Sequence, residues 1–132
     1  AHVGDSRAYL LRGPRFEPLT EDHSWVAAMV QAGALTPEEA ATSRRRNEIL
    51  RAVGVEAHVQ IDTRLALAEP GDVYLLCTDG LHGVLDDDAI ADVLRAEHDL
   101  TRAAQCLIER ALDAGGPDNV TTVLVRIGDT CR

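Results

Sequence analysis

The stretch PGDVYLLCTDGL, residues 70–81, opens with a tight turn at Pro70-Gly71 and then runs almost continuously apolar from Val73 to Thr78. A run of that kind predicts a central strand covered on both faces. Asp79-Gly80 ends it. Downstream, Asp86-Asp87-Asp88 opens a helix to about Glu97, with Ile90, Val93 and Leu94 on one face. Three acids at a helix start suit the positive end of its dipole. Leu100 to Ala114 reads as a longer helix whose broad apolar face carries Ala103, Ala104, Leu107, Ile108, Ala111 and Leu112. Gly115-Gly116-Pro117 breaks it, and Val120 to Ile127 is a strand rich in Val, Thr and Leu. Two successive helices between the last two apolar strands favour an α+β layered sandwich over a doubly wound parallel sheet.

Upstream, Ala1 to Val3 reads as the end of a strand entering a Gly4-Asp5 turn, with Arg7 to Arg12 as its hairpin partner. Gly13-Pro14 turns the chain into a short third strand, Phe16 to Leu19, which completes an antiparallel meander. Thr20 is expected to cap a helix bearing Trp25, Met29 and Ala32 at helical spacing, closed by Gly33. Thr36-Pro37-Glu38-Glu39 starts a second helix through Ala41. Between Val55 and Leu67 the alternation of Val59, Ile61, Leu65 and Leu67 predicts two strands or one bent strand.

At 132 residues the chain is one domain or most of one. Hydrophobic residues make up 45% and aromatics only 3%, so the core must be built from Ala, Val, Leu and Ile. The net charge of −9 argues against nucleic-acid binding, which needs a basic surface. Arg44-Arg45-Arg46 is the one strongly basic spot; a solvated helix start and a place near phosphate or a phosphorylated partner are both open readings. Cys77, Cys106 and Cys131 match no zinc spacing, and the first two are expected as buried thiols. With no signal peptide and no run of 18 apolar residues, a cytoplasmic location without membrane contact is expected.

Three aspartates stand in turns beside glycine, each next to an apolar run: Asp5 in VGDSRAYL, Asp79 in YLLCTDGL and Asp118 in GGPDNVTTVLV. Any one of them reads as an ordinary turn residue. Together they could converge at strand ends, where glycine allows close backbone approach. Oxygen-only ligands select magnesium or manganese over zinc or copper. A bound divalent cation would also relieve the mutual repulsion of clustered carboxylates.

The strings VGDSRAYL, LTEDHS, NEILRAVG, PGDVYLLCTDGLHGVL and GGPDNVTTVLVR, in this order, resemble the C-terminal half of the PPM/PP2C-type metal-dependent protein serine/threonine phosphatases, in a compact bacterial, actinobacterial-like form. The resemblance implies part of a four-layer α-β-β-α sandwich with two antiparallel sheets, residues 1–128 forming the C-terminal portion of a single phosphatase domain and 129–132 a tail. It implies that Asp79 and Asp118 ligate a pair of Mn2+ or Mg2+ ions and that Asp5 contacts a third in bacterial members. Water activated by the metals, rather than a protein nucleophile, would attack phosphorus. Its partners would be proteins phosphorylated on Ser or Thr, with a Ser/Thr kinase acting on the same substrates.

The family's Asp-Gly-x-Gly-Gly loop, which supplies a bridging aspartate, lies upstream of VGDSR and has no counterpart here. The expectation is therefore a fragment with N-terminal strands and metal loop missing, inactive alone, and prone to self-association through an exposed sheet edge. A degenerate PPM-like binding or regulatory module without catalysis is the alternative.

Overall fold

A computed structural model describes residues 1–128; the expected tail at 129–132, with Cys131, lies outside the described residues. The elements in chain order are β1 (Arg7–Arg12), β2 (Arg15–Pro18), α1 (Trp25–Gln31), α2 (Pro37–Thr42), β3 (Val73–Cys77), α3 (Asp79–His82), α4 (Asp87–Ala96), α5 (Leu100–Asp113) and β4 (Thr122–Arg126). They fall into two compact units. One comprises Ala1–Ser6 with Thr20–Arg64, the other Arg7–Leu19 with Leu65 onward.

The second unit holds a four-stranded sheet in the order β2-β1-β3-β4, antiparallel throughout. Its register aligns Tyr9, Leu75 and Leu124 across three strands. Because strand side chains alternate between faces, this row and its neighbours Leu11, Val73 and Cys77 point one way. They pack on Leu81, Ile90, Val93, Leu94, Ala103, Leu107 and Ala111 from α3, α4 and α5. Tyr9, with no exposed surface, stacks on Phe16 at 4.9 Å and donates its hydroxyl to Asp87 Oδ1 at 2.9 Å. Arg7 donates to the same hydroxyl at 3.0 Å. Both long helices carry side-chain caps at their N-termini: the side chain of Asp86 accepts from Ala89 N–H, and that of Asp99 from Arg102 N–H.

Several expectations need correction. The described residues form one antiparallel sheet with α3, α4 and α5 packed on one face, an α+β arrangement consistent with part of a larger sandwich; a second sheet is not among them. The run at 73–78 is central in the sheet but not covered on both sides: Val73, Leu75 and Cys77 are buried, while Leu76 is 48% exposed. Cys106 is half-buried rather than buried. Residues 55–67 form no strand. Their alternation finds no ladder partner among the described residues beyond a single bridge from Asp62 to His2, and Leu65 is fully exposed. Ala1 to Val3 likewise contributes only that bridge, so the meander reduces to the β1-β2 hairpin.

In the first unit α1 is capped by Ser24, not Thr20, because Ser24 Oγ accepts from Ala27 N–H while Asp22-His23 stay outside the helix. Thr36 and Glu39 close a reciprocal capping box on α2. Arg44 to Arg46 lie in an exposed turn rather than a helix start. Arg45 stacks over the Trp25 ring at 3.8 Å and pairs with Glu48 at 2.6 Å.

Candidate metal centre

Asp79 and Asp118 come from loops that the sheet delivers to one end. β3 ends at Cys77 and β4 begins at Thr122, and these two residues are register partners. The residue after β3, Thr78, stitches the two loops together. Its N–H donates to Thr121 O at 3.2 Å, its hydroxyl donates to Asn119 O at 3.3 Å, and the Thr78 hydroxyl oxygen accepts from Thr121 N–H at 3.1 Å. Chain reversal follows at once, since Asp79 opens the one-turn helix α3.

Gly80 explains why the loops can meet. A Cβ built there would overlap the carbonyl oxygen of Asn119, so any larger residue would push the Asp118 loop away. The two turns therefore approach backbone to backbone, one residue from each aspartate. Asp79 is half-buried and Asp118 exposed. Asp118 Oδ1 accepts from Asn119 N–H at 2.7 Å, which fixes its side chain over its own turn.

Asp5 is in the other unit, half-buried, directly after Gly4 at φ 111°. The structure thus brings Asp79 and Asp118 to one sheet end and places Asp5 in a separate unit. Among the described residues no three His, Cys, Asp or Glu side chains group as a metal cage. The pair still fits a hard divalent cation: both donors are carboxylate oxygens on glycine-flanked turns. Magnesium commonly takes only one or two protein carboxylates and keeps several waters. Oxygen donors besides these two must complete the shell.

Thr78 and Gly80 were not anticipated as site residues. The signal for Gly80 was its place after the strand-ending aspartate, but its need to be glycine rests on Asn119, which is distant in sequence. The side chain of Thr78 makes no helix-cap bond and is spent on the cross-loop contacts instead.

No family model matches the chain. It is 40% identical over 125 residues to the serine/threonine phosphatase stp of Listeria welshimeri, covering 95% of this chain and 50% of that protein. The structure of the S. agalactiae serine/threonine phosphatase superposes with a TM-score of 0.91 at 42% identity, over 96% of this chain and 52% of that one. The catalytic domain of the phosphatase PstP in complex with two manganese ions superposes with a TM-score of 0.83 at 41% identity, over 97% of this chain and 52% of that one. The chain spans about half the length of curated relatives such as the Listeria welshimeri phosphatase.

Proposed function

We infer that the chain is a member of the PPM/PP2C-type serine/threonine phosphatases, and that the protein it serves hydrolyses phosphoserine and phosphothreonine on other proteins. The observation that carries this reading is the Thr78–Gly80 junction, which holds the turns of Asp79 and Asp118 together at one sheet end. Residues 1–128 are read as the C-terminal portion of the phosphatase domain.

In this proposal Asp79 and Asp118 hold a Mn2+ or Mg2+ pair, with Asp5 serving a third ion in the complete domain. Such ions supply Lewis acidity that activates water and offsets charge on the phosphoryl oxygens. The chain's own part is positioning. Thr78 and Gly80 fix the carboxylates before an ion arrives, so the site pays little reorganisation, which is what phosphoryl transfer chiefly requires of a protein. Phosphorylated Ser/Thr proteins and the kinase that makes them are the proposed partners. No helix among the described residues is long and apolar enough to cross a membrane, and action in the cytoplasm belongs to the same proposal.

The test is to splice this chain into the matching span of the S. agalactiae phosphatase and assay a phosphothreonine peptide with Mn2+. Turnover that is lost in Asp79→Asn supports the reading, while the chain alone is expected to turn over little or no substrate. A folded chimera that binds Mn2+ yet releases no phosphate would overturn it in favour of a binding module.

A further inference from the structure

His23 is the polar hub of the unit formed by residues 1–6 and 20–64. It is only 4% exposed. Its backbone N–H donates to Gly4 O at 2.9 Å, and its carbonyl accepts from Leu50 N–H at 2.7 Å. Ring Nδ1 takes the Gly4 N–H at 3.2 Å, and Nε2 lies 3.0 Å from Asp62 Oδ2. A backbone N–H can only donate, so Nδ1 is the acceptor and the ring proton sits on Nε2, donated to Asp62. The ring stacks on His2 at 4.4 Å between centroids. Arg51 secures the other oxygen of Asp62 at 2.9 Å, and the backbones of Asp62 and His2 exchange hydrogen bonds of 2.9 and 3.2 Å.

Both polar groups of the buried Gly4 therefore end on a single residue. Gly4 has a left-handed backbone, φ 111°, in which a glycine is held by its hydrogen bonds and by no side chain of its own. The direction in which the chain leaves this clamp sets where the next residue, Asp5, stands. We propose that His23 is a positioning residue, which through Nδ1 and its own N–H locks Gly4 and so presents Asp5 to a divalent cation. The proposal rests on the reading of Asp5 as a ligand. His23 acts through the Gly4 backbone, not by touching the ion.

Two conservative variants separate this role from a purely structural one. The amide of an Asn reaches the position of Nδ1, and that of a Gln the position of Nε2. Under the proposal His23→Asn keeps the acceptor for Gly4, whereas His23→Gln keeps only the brace to Asp62. The experiment uses the 15N-labelled chain, with Mn2+ alone as the probe. Hydrogen exchange of the Gly4 amide reports the clamp, and paramagnetic broadening of the Asp5 amide, with Asp5→Asn as control, reports ion capture. The Ala27 amide, capped by Ser24, reports whether the unit stays folded.

His23→Asn is expected to stay near wild type in both readouts. His23→Gln and His23→Ala are expected to lose roughly tenfold in Gly4 protection and to need roughly tenfold more Mn2+ to broaden Asp5. Ring 15N shifts of the wild type should show the Nε2–H tautomer. Rescue by Gln but not Asn overturns the proposal and makes His23 a brace to Asp62. Unchanged Mn2+ capture in His23→Ala also overturns it. If Asp5 in the wild type is no more broadened than in the control, Asp5 is not a ligand and the presentation role falls with it. That failure is distinguishable, because Gly4 protection would still follow the Asn and Gln pattern.

Discussion

The guanidinium of Arg12 grips both carboxylate oxygens of Asp72, Nε to Oδ1 at 2.7 Å and Nη2 to Oδ2 at 2.6 Å, joining the end of β1 to the residue before β3. Asp72 is 1% exposed and also accepts from Glu69 N–H at 2.9 Å, so the turn at 69–72 is closed around a satisfied charge. Arg12 further reaches Glu69 at 2.6 Å and the Leu67 carbonyl at 2.8 Å.

The Arg12 guanidinium holds the Asp72 carboxyl down to about 2. A carboxylate depressed in the folded state contributes stability that is fully present above its unfolded value and is lost as pH falls through the folded one. Urea midpoints should therefore drop between about pH 4 and pH 2. Asp72→Asn should flatten the part of that drop which Asp72 carries, while lowering the midpoint at pH 7. Asp62, held low by His23 and then Arg51, adds to the acid limb with the same sign.

Gly80→Ala should separate the turns of Asp79 and Asp118. The new methyl group meets the Asn119 carbonyl, a backbone atom that cannot rotate away. Overpacking of this kind costs about 1–3 kcal/mol, and Mn2+ affinity should fall by about tenfold or more. Isothermal titration with Mn2+ checks it; wild-type affinity in Gly80→Ala would mean the loops need not touch to bind.

Tyr9→Phe removes a hydroxyl that is shared between Asp87 and Arg7 under a fully buried ring. Burial pushes the phenol up, so it stays a donor to Asp87 throughout the ordinary pH range. The loss should be about 1–3 kcal/mol in a denaturant melt, with the sheet intact by circular dichroism.

Leu107→Ala cuts the centre of the α5 contact with the sheet, at a side chain with no exposed surface. Large-to-small changes at such sites cost about 2–5 kcal/mol. Against a usual net stability of about 5–15 kcal/mol, the variant should melt well below the wild type.

Leu76, Val123 and Val125 lie on the sheet face away from the helices, at 48%, 51% and 44% exposure, with Leu76 and Val123 directly opposite each other. An apolar row of that kind favours association. Sedimentation should show concentration-dependent self-association of the chain, reduced when all three become threonine. A strictly monomeric wild type across the micromolar range would refute it.

Helices α4 and α5 were legible because their apolar spacing agreed with the acids that open α4 and the glycines that close α5, and packing did not have to overrule propensity. β1, β3 and β4 were legible as short apolar runs between turn residues. Coverage of β3 was not, because a continuous run does not say which of its faces another layer will meet. The strands expected over 55–67 failed for a related reason: alternation at Val59, Ile61, Leu65 and Leu67 fixes a face but supplies no ladder partner. The turns of Asp79 and Asp118 could be picked out as candidates. What joins them could not, since Thr78 and Gly80 act on Asn119 and Thr121, distant in sequence. Nothing in the LTEDHS string shows that the ring of His23 serves Gly4 and Asp62, which lie far from it in sequence.

The sheet pairs β1 directly with β3, although residues 20–64 intervene in the chain. That segment is a parenthesis in the sentence of the sheet: the register of Tyr9 against Leu75 is spelled by residues on either side of it. The entropy of closing such a loop grows only logarithmically, about 0.6 kcal/mol for each doubling of length. The exposed stretch at 53–58 can therefore lengthen or shorten at small thermodynamic cost to the strands around it.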